Sequence, residues 1–283
     1  MNTQKMAAWR PQMVALDIDG TLVDHAGVLP DKVRRSVRRV VAAGVPVVLT
    51  TGRSWHATRP VFEQLGLPTG PAVASNGAVT VSFPPFQLEE VLTFDPAEVI
   101  AKVLREHPTA ALAAEVIGRG YRVTKRFPDG DLTGDIEVVS VDDLAATDVT
   151  RLVVRDPKAS DTEFIRLAER IGLHGVSYFV GWSAWLDIAP QGVNKATALA
   201  EVAADLGYQA ADVLAIGDGR NDIEMLSWAG RGVALGDACT EARAAADHVT
   251  GSFAEGGTAQ ELDRWFSGRH AFNRVATPSA LAS

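Results

Sequence analysis

The chain has 283 residues, a length that fits one large domain or two moderate ones. Hydrophobic residues make up 47% and charged residues 22%, which is typical of a soluble globular protein with a substantial core. The net charge of −8 disfavours nucleic acids and anionic membranes as partners, because both require a basic face. One cysteine, Cys239, excludes an intramolecular disulfide. With no secretion signal and no apolar run of about 20 residues, we expect a cytoplasmic protein.

Strands and helices alternate over the first 93 residues. Short apolar runs predict strands, and apolar residues at helical spacing predict helices that stop at Gly44 and Gly66. In chain order these are a strand at 14–16, a helix at 31–43, a strand at 45–49, a helix at 55–65 and a strand at 72–74. This order is typical of a parallel sheet covered by helices on both faces.

The pattern changes in the middle of the chain, where single helices alternate with pairs of strands. The predicted elements are a helix at 98–106, a hairpin of strands 111–117 and 121–124, a strand at 152–154, a helix at 161–171, and strands at 176–180 and 185–188. Residues 127–150 are acidic and rich in glycine and aspartate, and no regular element is predicted there. These features indicate an antiparallel α+β module inserted into the first fold.

The first pattern resumes at Gln191. It comprises a helix at 195–206, a strand in "DVLAIGDG", a helix at 223–228, a strand in "GVAL", a helix at 240–246 and a strand in "HVTG". We therefore predict an α/β fold: a Rossmann-like, doubly wound parallel sheet with an inserted α+β domain. Residues 1–93 and 188–283 form the discontinuous core, and residues 94–187 form the insert.

Two predicted core strands end in aspartates. The stretch "VALDIDGTLVD" places Asp17 and Asp19 after a buried strand, and "LAIGDGRNDIEML" does the same with Asp218 and Asp222. Open α/β sheets bind ligands at the carboxyl ends of their strands, so we expect these four side chains in one pocket. Four carboxylates cannot all stay ionised there without a cation. Oxygen ligands favour a hard ion, so we predict Mg²⁺.

The same edge carries groups suited to an anionic phosphate. A carboxylate can act as a covalent nucleophile, as in aspartyl-phosphate enzymes. Lys195 begins a predicted helix and supplies positive charge, while Thr51 follows a strand and offers a hydroxyl. Gly20 and Gly52 allow the backbone to approach a phosphate closely.

These segments, in this order, resemble the haloacid dehalogenase (HAD) superfamily of phosphotransferases. "DIDGT" matches the first motif, Thr51 in "TTGR" the second, Lys195 the third and "GDGRND" the fourth. "SNGA" at 75–78 and the insert of roughly 100 residues resemble the Cof-type branch, in which a type IIB cap sits over the site. The resemblance covers about residues 12–266. It departs from the branch at "LGDA", where Asp237 stands in place of the usual Asn, and we expect this to tune the edge of the site.

The resemblance implies a role for each matching residue. Asp17 would attack phosphorus, and Asp19 would protonate the leaving oxygen and then activate water. Mg²⁺ would be held by Asp17, the backbone carbonyl of Asp19, and Asp218, with Asp222 supporting. The candidate residues are, for catalysis, Asp17, Asp19, Thr51 and Lys195; for the metal, Asp17, Asp19, Asp218 and Asp222; and for substrate or phosphate, Gly20, Thr51, Gly52, Arg53, Asn76, Lys195 and Asn221.

Some of these residues also have purely structural interpretations. Asp222 can cap the following helix, Asn221 can form a turn, and Arg53 can pair with a surface carboxylate.

Substrate discrimination would come from the cap, because the catalytic groups all lie in the core. The candidate cap residues are Arg122, Lys125, Arg126, Trp182 and Trp185.

The sequence thus predicts a Mg²⁺-dependent phosphatase that acts on a small phosphorylated metabolite, a sugar phosphate or similar phosphomonoester, through an aspartyl-phosphate. A phosphosugar mutase would share the same catalytic residues and stays open. So does a catalytically silent binding module, although the nucleophile and metal ligands are intact. A nucleotide-binding α/β enzyme would require a G-x-G-x-x-G turn, which is absent after the first strand. We expect no nucleic-acid or membrane partner, and a monomer or homodimer.

Overall fold

The computed structural model describes residues 9–156, 159–160, 162–163, 166, 176–180 and 185–267. Over these residues the chain forms an eight-stranded sheet and a six-stranded sheet. In chain order the strands are β1 (Met13–Leu16), β2 (Val47–Thr50), β3 (Gly70–Ala74), β4 (Val79–Phe83), β5 (Gln87–Val91), β6 (Ala111–Val116), β7 (Gly120–Val123), β8 (Asp135–Val138), β9 (Leu152–Arg155), β10 (Val176–Val180), β11 (Trp185–Pro190), β12 (Val213–Gly217), β13 (Arg231–Ala234) and β14 (His248–Val249).

Helices cover the eight-stranded sheet and one face of the other. Those within the described ranges are α1 (Asp31–Ala42), α2 (Trp55–Leu65), α3 (Ala97–Glu106), α4 (Val141–Ala145), α5 (Lys195–Asp205), α6 (Ile223–Trp228), α7 (Thr240–Ala245) and α8 (Gly257–Phe266). The amphipathic pattern of α1 buries Val33, Val37 and Val40 at helical spacing. Gly66 ends α2 in the left-handed conformation, as predicted from its position.

The larger sheet has the order β14-β13-β12-β1-β2-β3-β4-β5. Its strands are parallel from β14 to β3, and β4 and β5 add an antiparallel edge. The sequence did not predict these two edge strands. The side chains of β5 are almost all exposed, so it carries no alternating apolar pattern that would indicate a strand. The central strands β1 and β12 are wholly buried, which explains their continuous apolar runs.

The smaller sheet has the order β10-β11-β9-β6-β7-β8. Its buried face packs on α3, where Val103 meets Leu112, Leu152 and Leu186 in one hydrophobic cluster. The predicted hairpin of β6 and β7 is confirmed. Strand β8 and helix α4 lie in the acidic segment where none was predicted, because all four residues of β8 are exposed. The predicted helix at 161–171 and the polar tail lie largely outside the described residues.

The predicted α/β fold with an inserted α+β module is confirmed. We propose that the cap begins at about residue 94, between β5 and α3, as the sequence suggests. At its other end, β11 stays paired with β9 and β10 through residues beyond 187, so the proposed crossing back to the core lies after Pro190. Within the described residues, no helix combines the length and apolar character needed to cross a membrane.

Replacing Leu16 with Ala should lower the free energy of unfolding by about 2–5 kcal/mol, because the truncation leaves a cavity beside a central strand. Leu16 is fully buried, whereas Leu88 on the edge strand β5 is 48% exposed. Leu88→Ala is therefore the matched control and should change stability by less than about 0.5 kcal/mol. Urea unfolding followed by circular dichroism measures both, and equal losses would contradict the assignment of β1 to the core.

Candidate active site

The candidate residues meet at the carboxyl edge of β1, β2 and β12, three strands that are neighbours and parallel in the core sheet. Asp17 follows β1, Thr51 follows β2 and Asp218 follows β12, while Lys195 begins α5. Parallel pairing brings the ends of these strands together although they lie up to 200 residues apart in the chain. The structure thus assembles the four predicted motifs at one site.

Lys195 lies at the centre of this site and is completely buried. Its Nζ donates to Asp17 Oδ1 and to Asp222 Oδ1, each at 2.6 Å. The preceding residue, Asn194, caps α5 by accepting from two backbone N–H groups, which fixes the start of the helix. Burial opposes the ammonium charge, but the two carboxylates outweigh it and hold the pKa of Lys195 above its ordinary value.

Asp222 organises the loop that follows β12. Its Oδ2 accepts the backbone N–H groups of Asp218 at 3.0 Å and Gly219 at 2.9 Å. Although Asp222 immediately precedes α6, its side chain makes no capping hydrogen bond to that helix, so the capping interpretation is wrong. Gly217 allows this arrangement, since a Cβ there would collide with the Asp222 carboxylate.

Three carboxylates form a group that could hold a cation. Oxygen atoms of Asp17, Asp218 and Asp222 lie within 4.8 Å of one another. Burial, followed by the charge of Asp222, raises the pKa of Asp17 well above its ordinary value and that of Asp218 to about 7. Thr21 Oγ1 donates to Asp218 at 3.0 Å. A set of buried carboxylate oxygens that repel one another fits a hard divalent cation, which would keep them ionised.

The side chain of Asp19, the fourth predicted metal residue, makes a different contact. Arg53 binds both of its oxygens, with Nε–Oδ2 at 2.9 Å and Nη2–Oδ1 at 2.5 Å. The Asp19 side chain is 60% exposed, in contrast to the buried Asp17. A metal role for Asp19 is therefore left to its backbone carbonyl, as the resemblance implied, while its carboxylate lines the pocket paired with Arg53.

The second motif and the "SNGA" segment are joined by hydrogen bonds. The buried Thr51 accepts the Arg53 N–H at its Oγ1, and its carbonyl accepts the Asn76 N–H at 2.9 Å. Asn221 Nδ2 donates to Asn76 Oδ1 at 2.9 Å, which links this segment to the fourth motif. Gly52 lies against the same amide, where a Cβ would approach Asn76 Oδ1 to 3.1 Å. Asn76 and Asn221 therefore hold two loops together beside the candidate phosphate-binding residues.

Gly20 has the backbone conformation that its position requires. Its φ is +75°, which favours glycine, and a Cβ would collide with the Asp218 carboxylate. Asp237, where the branch usually has Asn, accepts the backbone N–H of Phe253 and adds negative charge that contributes to the raised pKa of Asp218. The negative charge of Asp237 thus acts on Asp218, at the edge of the set of three carboxylates.

The cap contacts the core next to this site. Glu115 on β6 is buried and accepts a hydrogen bond from the Ser75 hydroxyl of the "SNGA" segment. Burial raises the pKa of Glu115. Ser75 and Asn76 both have positive φ, at 51° and 55°, so the turn that the cap contacts is conformationally strained. The cap is thereby attached to the loop that also holds Asn221.

A cavity of about 600 Å³ lies between core and cap. Its core wall includes Asp17, Asp19, Arg53 and Asp218. Its cap wall includes Tyr121, Arg151, Trp185 and Asp187. The candidate catalytic residues Asp17 and Asp19 therefore face a pocket that both domains line.

Of the five candidate cap residues, Trp185 lines the pocket. Arg122 and Lys125 instead donate to backbone carbonyls of the cap, the exposed Arg126 is not in the lining, and Trp182 lies outside the described residues. The sequence analysis missed Tyr121, Arg151 and Asp187. The sequence did contain a signal for Asp187. In "WLDIAP" an aspartate stands within an otherwise apolar strand, much as Asp17 stands directly after the apolar strand β1.

Comparisons with known proteins give a consistent assignment. The family model described as haloacid dehalogenase-like hydrolase matches residues 14–262. The chain is 27% identical over 256 residues to the 5-amino-6-(5-phospho-D-ribitylamino)uracil phosphatase YcsE of Bacillus subtilis, covering 90% of this chain and 95% of that protein. It is 30% identical over 263 residues to a phosphoglycolate phosphatase of Aeropyrum pernix, covering 92% and 95% respectively.

The fold has a counterpart among solved structures. The HAD subclass IIB sugar phosphatase BT4131 superposes with a TM-score of 0.75 at 22% identity, covering 89% of this chain and 98% of that one. At this identity the likeness concerns the fold, with its core and cap. The chain belongs to the haloacid dehalogenase-like hydrolase family and is a hydrolase of phosphomonoesters, which confirms the superfamily resemblance predicted from its four motifs and the Cof-type resemblance predicted from "SNGA" and the insert.

Proposed function

We propose that the protein is a Mg²⁺-dependent phosphatase that hydrolyses a small phosphorylated metabolite through an aspartyl-phosphate on Asp17. One observation carries the proposal. The buried Lys195 binds Asp17 and Asp222 at 2.6 Å, beside Asp218 and beneath a cavity that the cap also lines. This arrangement supplies a fixed nucleophile, compensating positive charge and space for a leaving group.

Asp17 is the nucleophile in this proposal. Lys195 binds its Oδ1, so we assign Oδ2 as the oxygen that attacks phosphorus. As the new O–P bond forms, the bond from phosphorus to the leaving oxygen breaks, and Asp19 donates a proton to that oxygen. In the second step Asp19 takes a proton from water, whose oxygen attacks phosphorus while the bond between phosphorus and Asp17 Oδ2 breaks. Inorganic phosphate leaves, the Asp17 carboxylate is restored, and Asp19 is again protonated for the next turnover.

Asp19 is suited to act on the leaving group because it faces the cavity and is more exposed than Asp17. Arg53 binds both Asp19 oxygens in this conformation. The substrate must therefore separate this pair, after which Arg53 can donate to the phosphoryl oxygens that enter between them.

The metal would be held by Asp17 and Asp218, with the Asp19 carbonyl as a further ligand. Asp222 would act in support, because Lys195 and two backbone N–H groups already occupy its oxygens. When bound, the ion would supply positive charge that lets an anionic carboxylate approach an anionic phosphate. Thr51, Lys195 and the backbone around Gly52 supply further donors for the phosphoryl oxygens.

The identity of the leaving group is the finer part of the proposal. The relatives' names include a ribitylamino-uracil phosphate and phosphoglycolate as substrates, which differ in the charge of the group that carries the phosphate. For this chain we favour a sugar phosphate or a similar phosphomonoester. Activity of the purified protein with Mg²⁺ on a panel of phosphorylated metabolites tests this directly.

Replacing Asp17 with Asn should reduce kcat by at least about 10³-fold, because an amide oxygen cannot form the phospho-enzyme. Steady-state hydrolysis of p-nitrophenyl phosphate measures the effect, and circular dichroism checks that the variant is folded. Asp31→Asn is the control, since Asp31 is exposed on α1 and pairs only with Arg34 among the described residues. A folded Asp17→Asn enzyme with substantial activity would remove Asp17 from the nucleophile role.

Chelation by EDTA should abolish the hydrolysis, and excess Mg²⁺ should restore it. Ca²⁺ should restore it poorly, because its looser coordination misplaces the nucleophile. Binding can be measured separately: Mg²⁺ should raise the melting temperature of the wild-type protein, since a ligand that binds only the folded state stabilises it. Asp218→Asn should remove this increase and Asp31→Asn should keep it. Full activity in EDTA would overturn the metal assignment.

A further inference from the structure

Residues of the cap that face the core lie on one face of its sheet. In β11, Leu186 and Ile188 belong to the hydrophobic cluster under α3, so Trp185 and Asp187 project from the opposite face. Tyr121 on β7 and Arg151 before β9 line the cavity beside them. This face is the part of the cap that a bound leaving group would contact.

Arg151 and Asp187 form a buried, two-point ion pair on this face. Arg151 Nε donates to Asp187 Oδ1 at 2.8 Å and Nη2 donates to Oδ2 at 2.9 Å. A third bond runs from Arg151 Nη1 to the Tyr121 hydroxyl at 3.2 Å. Arg151 is 5% exposed and Asp187 8% exposed. The guanidinium lies 5.9 Å from the centre of the Trp185 ring. The charge of the arginine is therefore compensated in place.

The other arginines of the described cavity lining are compensated as well. Arg53 binds Asp19, and Arg220 binds Glu241 at 3.1 Å. Asp131, the remaining charged cap residue of that lining, pairs with Arg155. Beyond the phosphoryl site, the described wall thus presents ion pairs and no uncompensated arginine to a second anionic group.

We propose that Asp187 determines substrate specificity by neutralising Arg151, so that the cap accepts uncharged, hydroxylated leaving groups and excludes those that carry a carboxylate. This inference rests on the proposed phosphatase function and deepens it. A guanidinium has more N–H groups than its three bonds here use, and a carboxylate oxygen accepts more than one hydrogen bond. The pair can therefore donate to and accept from substrate hydroxyls, while Trp185 offers an apolar surface to their carbon skeleton.

The exclusion follows from charge. A carboxylate placed beside this pair meets the negative Asp187 as well as Arg151, and like charges brought together in a desolvated site are strongly unfavourable. Without Asp187, Arg151 would lose the two hydrogen bonds that compensate its charge here, and its guanidinium would then favour a carboxylate. The selectivity between the two substrate classes thus depends on the partner of the arginine.

The test uses two substrates that differ only at one group: glycerol 3-phosphate, which ends in a hydroxymethyl, and 3-phosphoglycerate, which ends in a carboxylate. For the wild-type enzyme with Mg²⁺, kcat/KM should favour glycerol 3-phosphate by at least about tenfold. Asp187→Asn should shift the ratio toward 3-phosphoglycerate by about tenfold or more. The double variant Arg151→Gln with Asp187→Asn lacks both charges of the pair, so the cap wall is neutral at this point. Its ratio of kcat/KM values should return toward that of the wild type.

Asp135→Asn is the matched control, because it removes the same charge from an exposed cap position on β8 outside the cavity lining. Its substrate ratio should equal that of the wild type. A wild-type ratio near one, or an Asp187→Asn ratio equal to the wild-type ratio, would overturn the inference. If Asp187→Asn does not fold, Arg151→Gln provides the second variant: it leaves the Asp187 charge alone on the wall and should move the ratio further toward glycerol 3-phosphate, and an unchanged ratio would overturn the inference. Hydrolysis of p-nitrophenyl phosphate separates the two proposals, since its absence in the wild type would contradict the phosphatase function itself.

Discussion

The rest of the site depends on the burial of one ammonium group between two carboxylates. Lys195 is inaccessible to solvent, and its charge is stable there because Asp17 and Asp222 both accept from it at 2.6 Å. Removing one partner from such a buried pair typically costs about 3–5 kcal/mol, since the remaining charge is left without compensation. The interaction joins the end of β1, the loop after β12 and the start of α5. It therefore positions the proposed nucleophile and the carboxylates that could hold a cation with a single set of contacts.

Close backbone packing around this interaction leaves little space for other side chains. Gly20 lies against Asp218 and Gly217 against Asp222, so each carboxylate occupies the volume that a Cβ would need. The strained turn at Ser75 and Asn76 serves two neighbours: it binds Asn221 of the fourth motif and Glu115 of the cap. The same turn thus contacts both the cap and a loop of the candidate site.

The core and the cap contribute different kinds of charge. The core brings several carboxylates together, and burial together with the charge of Asp222 raises the pKa values of Asp17 and Asp218, which a bound cation would oppose. The cap instead pairs opposite charges, of which Arg151 with Asp187 is the most buried pair among the described residues. The proposals above accordingly assign the phosphoryl chemistry to the core and the distinction between leaving groups to the cap.

The sequence by itself determined the fold class, most strand and helix positions, and the residues of the four motifs, because buried parallel strands require apolar runs and the motifs stand directly at the strand ends. It did not indicate β5 or β8, whose exposed side chains leave no periodic signal. Only the tertiary structure decided that Asp19 pairs with Arg53 and that Asp222 accepts backbone N–H groups of the loop after β12. It also decided that Arg151 meets Asp187 across 36 residues. The two ion pairs join residues 34 and 36 positions apart in the chain, and the Asp222 contacts depend on the folded path of a short loop, so no sequence pattern specifies their geometry.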